Sequence, residues 1–216
     1  CGRNQGLFRE KRTGIRIMEI NIAETEQKEI TSFFYRILIP RPIAWVSTRS
    51  KEGIDNLAPF SFYGGVSANP PIVSLGIGRR AGKHKDTAQN LIDTGECVIH
   101  LTSVELSEKV VKTSAELPPE DDEFEIAGLE KVKSTDVKPP RLKDARVALE
   151  GKLYRHLEVG NGPGDMLLVE IIRIHIDDDI LDERGRPDPS KLDPLARLGG
   201  RQYASLTEAW EIIRPD

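Results

Sequence analysis

The sequence predicts a mainly β protein, an antiparallel barrel carrying a few short helices. Three observations lead there. Strand-length runs rich in apolar, β-branched and aromatic residues outnumber the helical patterns. Most of these runs fall in pairs joined by short polar or glycine-rich turns, as in hairpins, and closing such pairs into a barrel removes their exposed edges. The alternation of strand and helix typical of dinucleotide-binding sheets is not visible. "GIGRRAG" is not a G-x-G-x-x-G fingerprint, and no G-x-x-x-x-G-K-[ST] occurs.

Taken in order, residues 29–38 carry apolar side chains at helical spacing and predict a short helix. Pro40 and Pro42 then hold the chain extended into a strand from Ile43 to Thr48. The polar turn "RSKEGIDN" leads to a second strand opening at Asn56, which makes the pair a hairpin. "NPP" at 69–71 ends that strand, and "IVSLGIG" is the next. "KDTAQNLID" predicts a helix capped by Asp86 or Thr87, with Gly95 just past its end. "ECVIHLTS" is a buried strand, and residues 104–117 are broadly helical. The charged, proline-rich stretch 118–145 predicts a long surface excursion. "ARVALEGKLYRHLEV" and "DMLLVEIIRIHI" form the last strand pair, around "GNGPG".

The 216 residues predict one domain over 18–216. Met18 is a candidate start, with residues 1–17 an Arg-rich extension or mobile arm. A formal net charge of -4 gives no global attraction to nucleic acid or anionic membrane. No run approaches the roughly 20 apolar residues a membrane helix needs. Cys1 and Cys97 show neither zinc nor disulfide spacing, and Cys97 reads as a small buried hydrophobe. A reducing cytoplasm fits this usage.

Chemistry concentrates in a few places. "NLAPFSFY" (56–63) sets Asn56, Pro59 and Ser61 within an aromatic strand. It reads either as an edge strand or as backbone opened toward a ligand. "RRAGKHKDTAQN" (79–90) gathers Arg79, Arg80, Lys83, His84 and Lys85 before a helix start. That is either a solvated basic loop or a phosphate site formed with the helix N-terminus. Ser47 and Thr48 cap a turn or face a ligand at a barrel mouth. His100 suits a hydrogen-bonded interior position, His156 lies within reach of a site, and the acidic run after His175 reads as a solvated strand end. "PPEDDEFE" (118–125) reads as surface. Arg197 and Tyr203, around Gly199 and Gly200, line a pocket or an interface, or simply dock the C-terminus. No H-E-x-x-H, paired C-x-x-C or G-x-S-x-G supports a hydrolase.

"PRPIAWVST", "NLAPFSFY", "NPPIVSLGI", "KDTAQNL", "EFEIAGLE", "KPPRL" and "RLGGRQY" occur in that order between about residues 30 and 205. In this the chain resembles the flavin reductase-like family of FMN-binding split barrels, the flavoredoxin-like group. The resemblance implies a six-stranded antiparallel Greek-key barrel, a homodimer and one FMN per subunit near the dimer interface. It implies that Trp45, Ser47 and Thr48 lie beside the flavin. Asn56, Leu57, Ala58, Pro59, Phe60, Ser61 and Phe62 would run along its ring and ribityl chain. Lys85, Asp86 and Thr87, with Arg80, would sit at the phosphate, and Arg197 and Tyr203 would close the site. No metal and no side-chain acid or base is expected, because flavin supplies the redox chemistry. NADH or NADPH would reduce the flavin, which would pass electrons to free flavin or another acceptor. The alternative is a flavodoxin-like electron carrier with a redox partner protein, or a plain FMN-binding protein. Two positions depart from the family pattern. Gly164-Asp165-Met166 stands where related short-chain reductases often carry Gly-Asp-His, and Val169 replaces a close-approach glycine.

Overall fold

Period-two alternation of apolar residues lays down the barrel. In the computed structural model, which describes residues 7–12, 15–206 and 208–213, its strands are β1 (Ala44–Arg49), β2 (Asp55–Phe60), β3 (Phe62–Ala68), β4 (Pro71–Gly78), β5 (Glu96–Leu101), β6 (Val147–Val159) and β7 (Gly164–Ile176). They pair in the order β2-β1-β5-β6-β7-β4-β3, every ladder antiparallel. The two ends of that order, β2 and β3, are consecutive in the chain and separated only by Ser61. One strand therefore bends at Ser61. Before the bend it pairs with β1 (Ala44 opposite Phe60), and after it with β4 (Phe62 opposite Gly76). The sheet thereby closes on itself. Counted once, the bent strand gives the six strands expected; counted by ladder, there are seven.

The interior is filled by alternate residues: Ala44 and Val46 from β1, Leu75 and Ile77 from β4, Cys97 and Ile99 from β5, and Leu167, Val169 and Ile171 from β7. Helix α2 (Asp86–Thr94) adds Ala88 and Leu91. Each such Leu or Ile contributes about 1.5–3 kcal/mol by leaving water. Gly95 ends α2 at φ 75°, as expected, but the N-cap is Lys85 rather than Asp86 or Thr87, and no side chain caps the first N–H groups.

Val169 keeps its place because the opposing strand yields. A Cβ on Gly151 would lie 2.4 Å from Val169 Cγ1. The glycine that the family pattern places at 169 is thus matched by one across the β6–β7 ladder, next to a register shift at Glu150/Gly151.

The stretch 118–145 is only partly surface. It holds α4 (Glu123–Ala127), where Glu123 and Phe124 are buried, and it covers the outer face of the barrel. Three buried polar side chains on that face bond its backbone. Ser47 Oγ donates to Pro140 O at 2.6 Å, and Leu142 N donates to His100 Nε2 at 2.9 Å. Glu150 accepts from Thr135 N (2.8 Å) and Asp136 N (2.6 Å). A polar chain can lie against a barrel only when its backbone groups find partners. Ahead of it, the helical stretch is a 3₁₀ turn (Val104–Leu106) running into α3 (Ser107–Lys112).

Contacts divide the chain into two compact units, Arg41–Arg197 with Ala204–Asp216, and the residues up to Pro40 with Leu198–Tyr203. The second contains α1 (Gln27–Ile37), as the helical spacing predicts, and an antiparallel pair, Leu7–Arg12 with Ile15–Ile20. That pair crosses the boundary set at Met18. The expectation of a mobile arm at residues 1–6 and 13–14 lies outside the described residues.

Candidate functional site

Three parts of the barrel unit surround a cavity of about 310 Å³: strand β2, the N-terminus of α2 with the loop before it, and the segment from Thr113 to Glu123. Asn56 ties them together. Its Oδ1 accepts from Thr87 Oγ1 of α2 at 2.7 Å and from Thr48 Oγ1 of β1 at 3.3 Å. Its Nδ2 donates to Glu123 Oε1 of α4 at 2.9 Å, and the neighbouring Leu57 N donates to Glu123 Oε2 at 3.0 Å. Asn90 Nδ2 completes the network on Thr48 Oγ1 at 3.2 Å. An amide suits this position because one end accepts twice while the other donates. Burial pushes the Glu123 carboxyl upward, and the donors from Leu57 and Asn56 oppose that rise.

One wall is basic. Arg80, Lys83, His84 and Lys85 line it beside the uncapped turn of α2, where free N–H groups and the helix dipole favour an anion. Arg80 pairs with Glu116 on the opposing segment; Lys83 and Lys85 make no ion pair among the described residues. The opposite lining is apolar: Ala58, Pro59, Phe60, Ala115 and Leu117.

Behind the basic wall, Asp165 of β7 is buried, with its carboxylate fully engaged. Arg79 reaches it through Nη2 at 2.9 Å and Nε at 3.2 Å, His84 through Nδ1 at 2.8 Å and His156 through Nε2 at 2.8 Å. Arg79 also pairs with Glu158. Burial opposes the charge of Asp165, but Arg79, His84 and His156 outweigh it and hold the carboxyl down at about 2. The ligating atoms of His84, His156 and Asp165 lie within 4.8 Å of one another, a spacing that suits a metal. The guanidinium of Arg79 already supplies the positive charge that a metal would bring to this carboxylate.

Of the residues singled out from sequence, Asn56, Ala58, Pro59, Phe60, Arg80, Lys85, Asp86 and Thr87 line the cavity together. Trp45, Ser47, Thr48 and Leu57 do not. They are buried behind it, with Trp45 Nε1 donating to Thr113 Oγ1 at 2.8 Å. Ser61 accepts from Arg41 Nε at 3.2 Å, and the Arg41 guanidinium lies 5.5 Å from the centre of the Phe62 ring. Arg197 pairs in register with Arg41 in the barrel unit, whereas Tyr203 belongs to the other unit. Sequence reasoning missed Glu123, which it read as surface, and the lining from Thr113 to Pro119. The available signal was Phe124, an aromatic set in an acidic run, with Leu129 following after one short helical turn and a glycine.

The flavin reductase like domain matches residues 34–203. A Bacillus subtilis (strain 168) protein, YwrF, is 40% identical over 183 residues, covering 82% of this chain and 89% of its own. The structure of nitrilotriacetate monooxygenase component B from Bacillus cereus is similar at TM-score 0.87 and 34% identity, covering 91% of this chain and 98% of that one. The 2-nitrobenzoate 2-nitroreductase NbaA of Pseudomonas fluorescens is similar at TM-score 0.81 and 26% identity, over 91% and 96% of the two chains.

Proposed function

The chain belongs to the flavin reductase-like family, and on that premise we propose that it is an FMN-dependent oxidoreductase in which NADH or NADPH reduces bound flavin and the electrons pass to free flavin or another acceptor. The observation that carries this reading is the two-sided cavity. Its basic wall, with Lys83 and Lys85 beside the uncapped α2 turn, suits a phosphate, and its apolar lining at Pro59, Phe60 and Leu117 suits a flat ring. When bound, FMN supplies hydride acceptance and one- or two-electron transfer. The protein's part is to hold and orient it. Lys85 and the backbone N–H of Thr87, in the uncapped first turn of α2, would donate to the phosphate, and Arg80 would add charge nearby. The backbone from Leu57 to Phe60, kept in register by Glu123 and Asn56, runs along the ring and ribityl chain. Trp45, Ser47 and Thr48 act from behind, by fixing β1 and Asn56. Ser61, Phe62 and Arg197 belong to the proposal at the rim.

The same reading includes a homodimer and a reducing cytoplasm. Ile172, Ile174 and Ile176 are exposed along β7, and apolar groups of this size in one strand suit a partner subunit. Cys97 is a buried thiol that burial pushes up to about 12, inert as a metal ligand or nucleophile. No helix among the described residues is long and apolar enough to cross a membrane.

Fluorescence titration tests binding: FMN quenches on mixing with wild type, and Lys85→Ala weakens affinity about tenfold, the loss of one charge-assisted contact. Anaerobic mixing with NADH or NADPH tests the reaction. Bleaching of the bound-flavin absorbance is expected. Bleaching by dithionite but by neither nicotinamide would leave an electron carrier instead.

A further inference from the structure

The two imidazoles on Asp165 have fixed tautomers. Asp165 is ionised and can only accept, so His84 must present Nδ1–H and His156 must present Nε2–H. Neutral His84 therefore keeps its lone pair on Nε2. It makes no hydrogen bond there among the described residues, and the residue lines the cavity. In that state it repels a phosphate oxygen. One added proton converts the same atom into a charged donor.

The charges around His84 set when that proton is held. Asp165 from β7, Glu158 from β6 and Asp93 from α2 favour it. Arg79, Lys83 and Lys85 on its own loop, and His156 when protonated, oppose it. Asp86, Glu116 and Glu123 also line the cavity and favour it from farther away. Arg79, Asp165 and Glu158 together carry one net negative charge while both imidazoles are neutral. An anion beside Lys83 and Lys85 offsets the opposing cations, so anion and proton reinforce each other. By linkage the coupling is reciprocal.

We propose that His84, positioned by Asp165, is a proton-gated donor to a phosphate monoester in the cavity, so that binding of a phosphorylated flavin takes up a proton. This rests on the flavin reading above and deepens it. Affinity for the phosphorylated cofactor is then higher at low pH and weakens as pH rises, which lets pH tune flavin retention against release. The ring is untouched, so riboflavin binding carries no such linkage.

The test is isothermal titration calorimetry of FMN near pH 6.5 in buffers of different ionisation enthalpy, which counts protons exchanged on binding. FMN's own phosphate also titrates in this range, so the readout is wild type minus His84→Gln. Protons taken up are expected to be greater in wild type by a few tenths of a proton, about half being the limit for a single site with a tenfold linkage. Affinity should differ between the two proteins by about tenfold at pH 6 and converge by pH 8. Equal proton counts with FMN bound by both proteins would overturn the inference and leave the flavin reading intact. Uptake that is the same with riboflavin would place the proton at the ring and also overturn it. Absence of FMN binding at any pH would overturn both. Inorganic phosphate, titrated in a further arm, should show the same His84-dependent uptake at weaker affinity; uptake equal in both proteins would count against a phosphate site. Circular dichroism checks that His84→Gln folds. Should it not, His84→Asn takes its place, with the same excess of proton uptake in wild type expected and equal counts overturning the proposal.

Discussion

Asn56 and His100 are polar residues in the interior, and both are there because every hydrogen-bonding group has a partner. Asn56 joins β1, β2, α2 and α4 through one amide. Asn56→Ala leaves the Thr87 hydroxyl without its acceptor and one Glu123 oxygen without a donor. Stability should fall by about 1–3 kcal/mol in urea unfolding, with FMN affinity down as the cavity walls separate; an unchanged midpoint would show that the network is dispensable. His100 donates from Nδ1 to Trp45 O at 2.8 Å and accepts from Leu142 N, so it is bonded as the neutral ring. Burial, helped by Arg141, lowers it from 6.5 to about 4, with the Trp45 carbonyl opposing. Because the folded value lies below the unfolded one, its contribution is full above about pH 6.5 and is lost as pH falls through about 4. Between pH 7 and 5 wild type should lose roughly 1–2 kcal/mol more than His100→Gln in unfolding titrations. Parallel pH profiles would show that His100 does not drive this loss.

At the level of elements, the bend at Ser61 and the covering excursion decide the architecture. Pro59 has no N–H to give the ladder, and it stands two residues before the bend, where β2 leaves β1 and the chain turns to β4. The pair Gly151 and Val169 shows how a barrel accommodates an extra side chain, since the strand opposite gives up its own. Gly151→Ala should cost about 1–3 kcal/mol of stability by overpacking. Adding Val169→Ala should recover part of that cost. Additive losses in the double variant would mean that the two side chains do not compete. The hairpins and α2 were legible in the sequence because period-two and 3.6-residue patterns are local. The role of the excursion was not. Its backbone is satisfied by Ser47, His100 and Glu150, residues far away in the chain, and nothing in its own composition marks which carbonyls and amides they meet.

For the whole molecule, the exposed row Ile172, Ile174 and Ile176 bears on assembly. Sedimentation velocity should find a dimer, and Ile174→Asp should shift it toward monomer, because a charge at an apolar contact costs its desolvation. A wild-type monomer at micromolar concentration would remove the dimer from the proposal. Half of the expected site residues line one cavity because they sit along β2 and at or just before the start of α2, which the Asn56 network holds side by side.

The sequence by itself determined the antiparallel strand set, the existence of the helix within residues 85–93, the ordered motifs of the family and the basic cluster of residues 79–85. Those are properties of local periodicity, turn chemistry and composition. Only the tertiary structure decided that "NLAPFSFY" is one strand serving two ladders, that Glu123 leaves an acidic run to anchor Asn56, and that His84 and His156 meet on Asp165. Each of these joins residues that lie far apart in sequence, and a buried polar group selects such partners only when the fold brings them within hydrogen-bond reach.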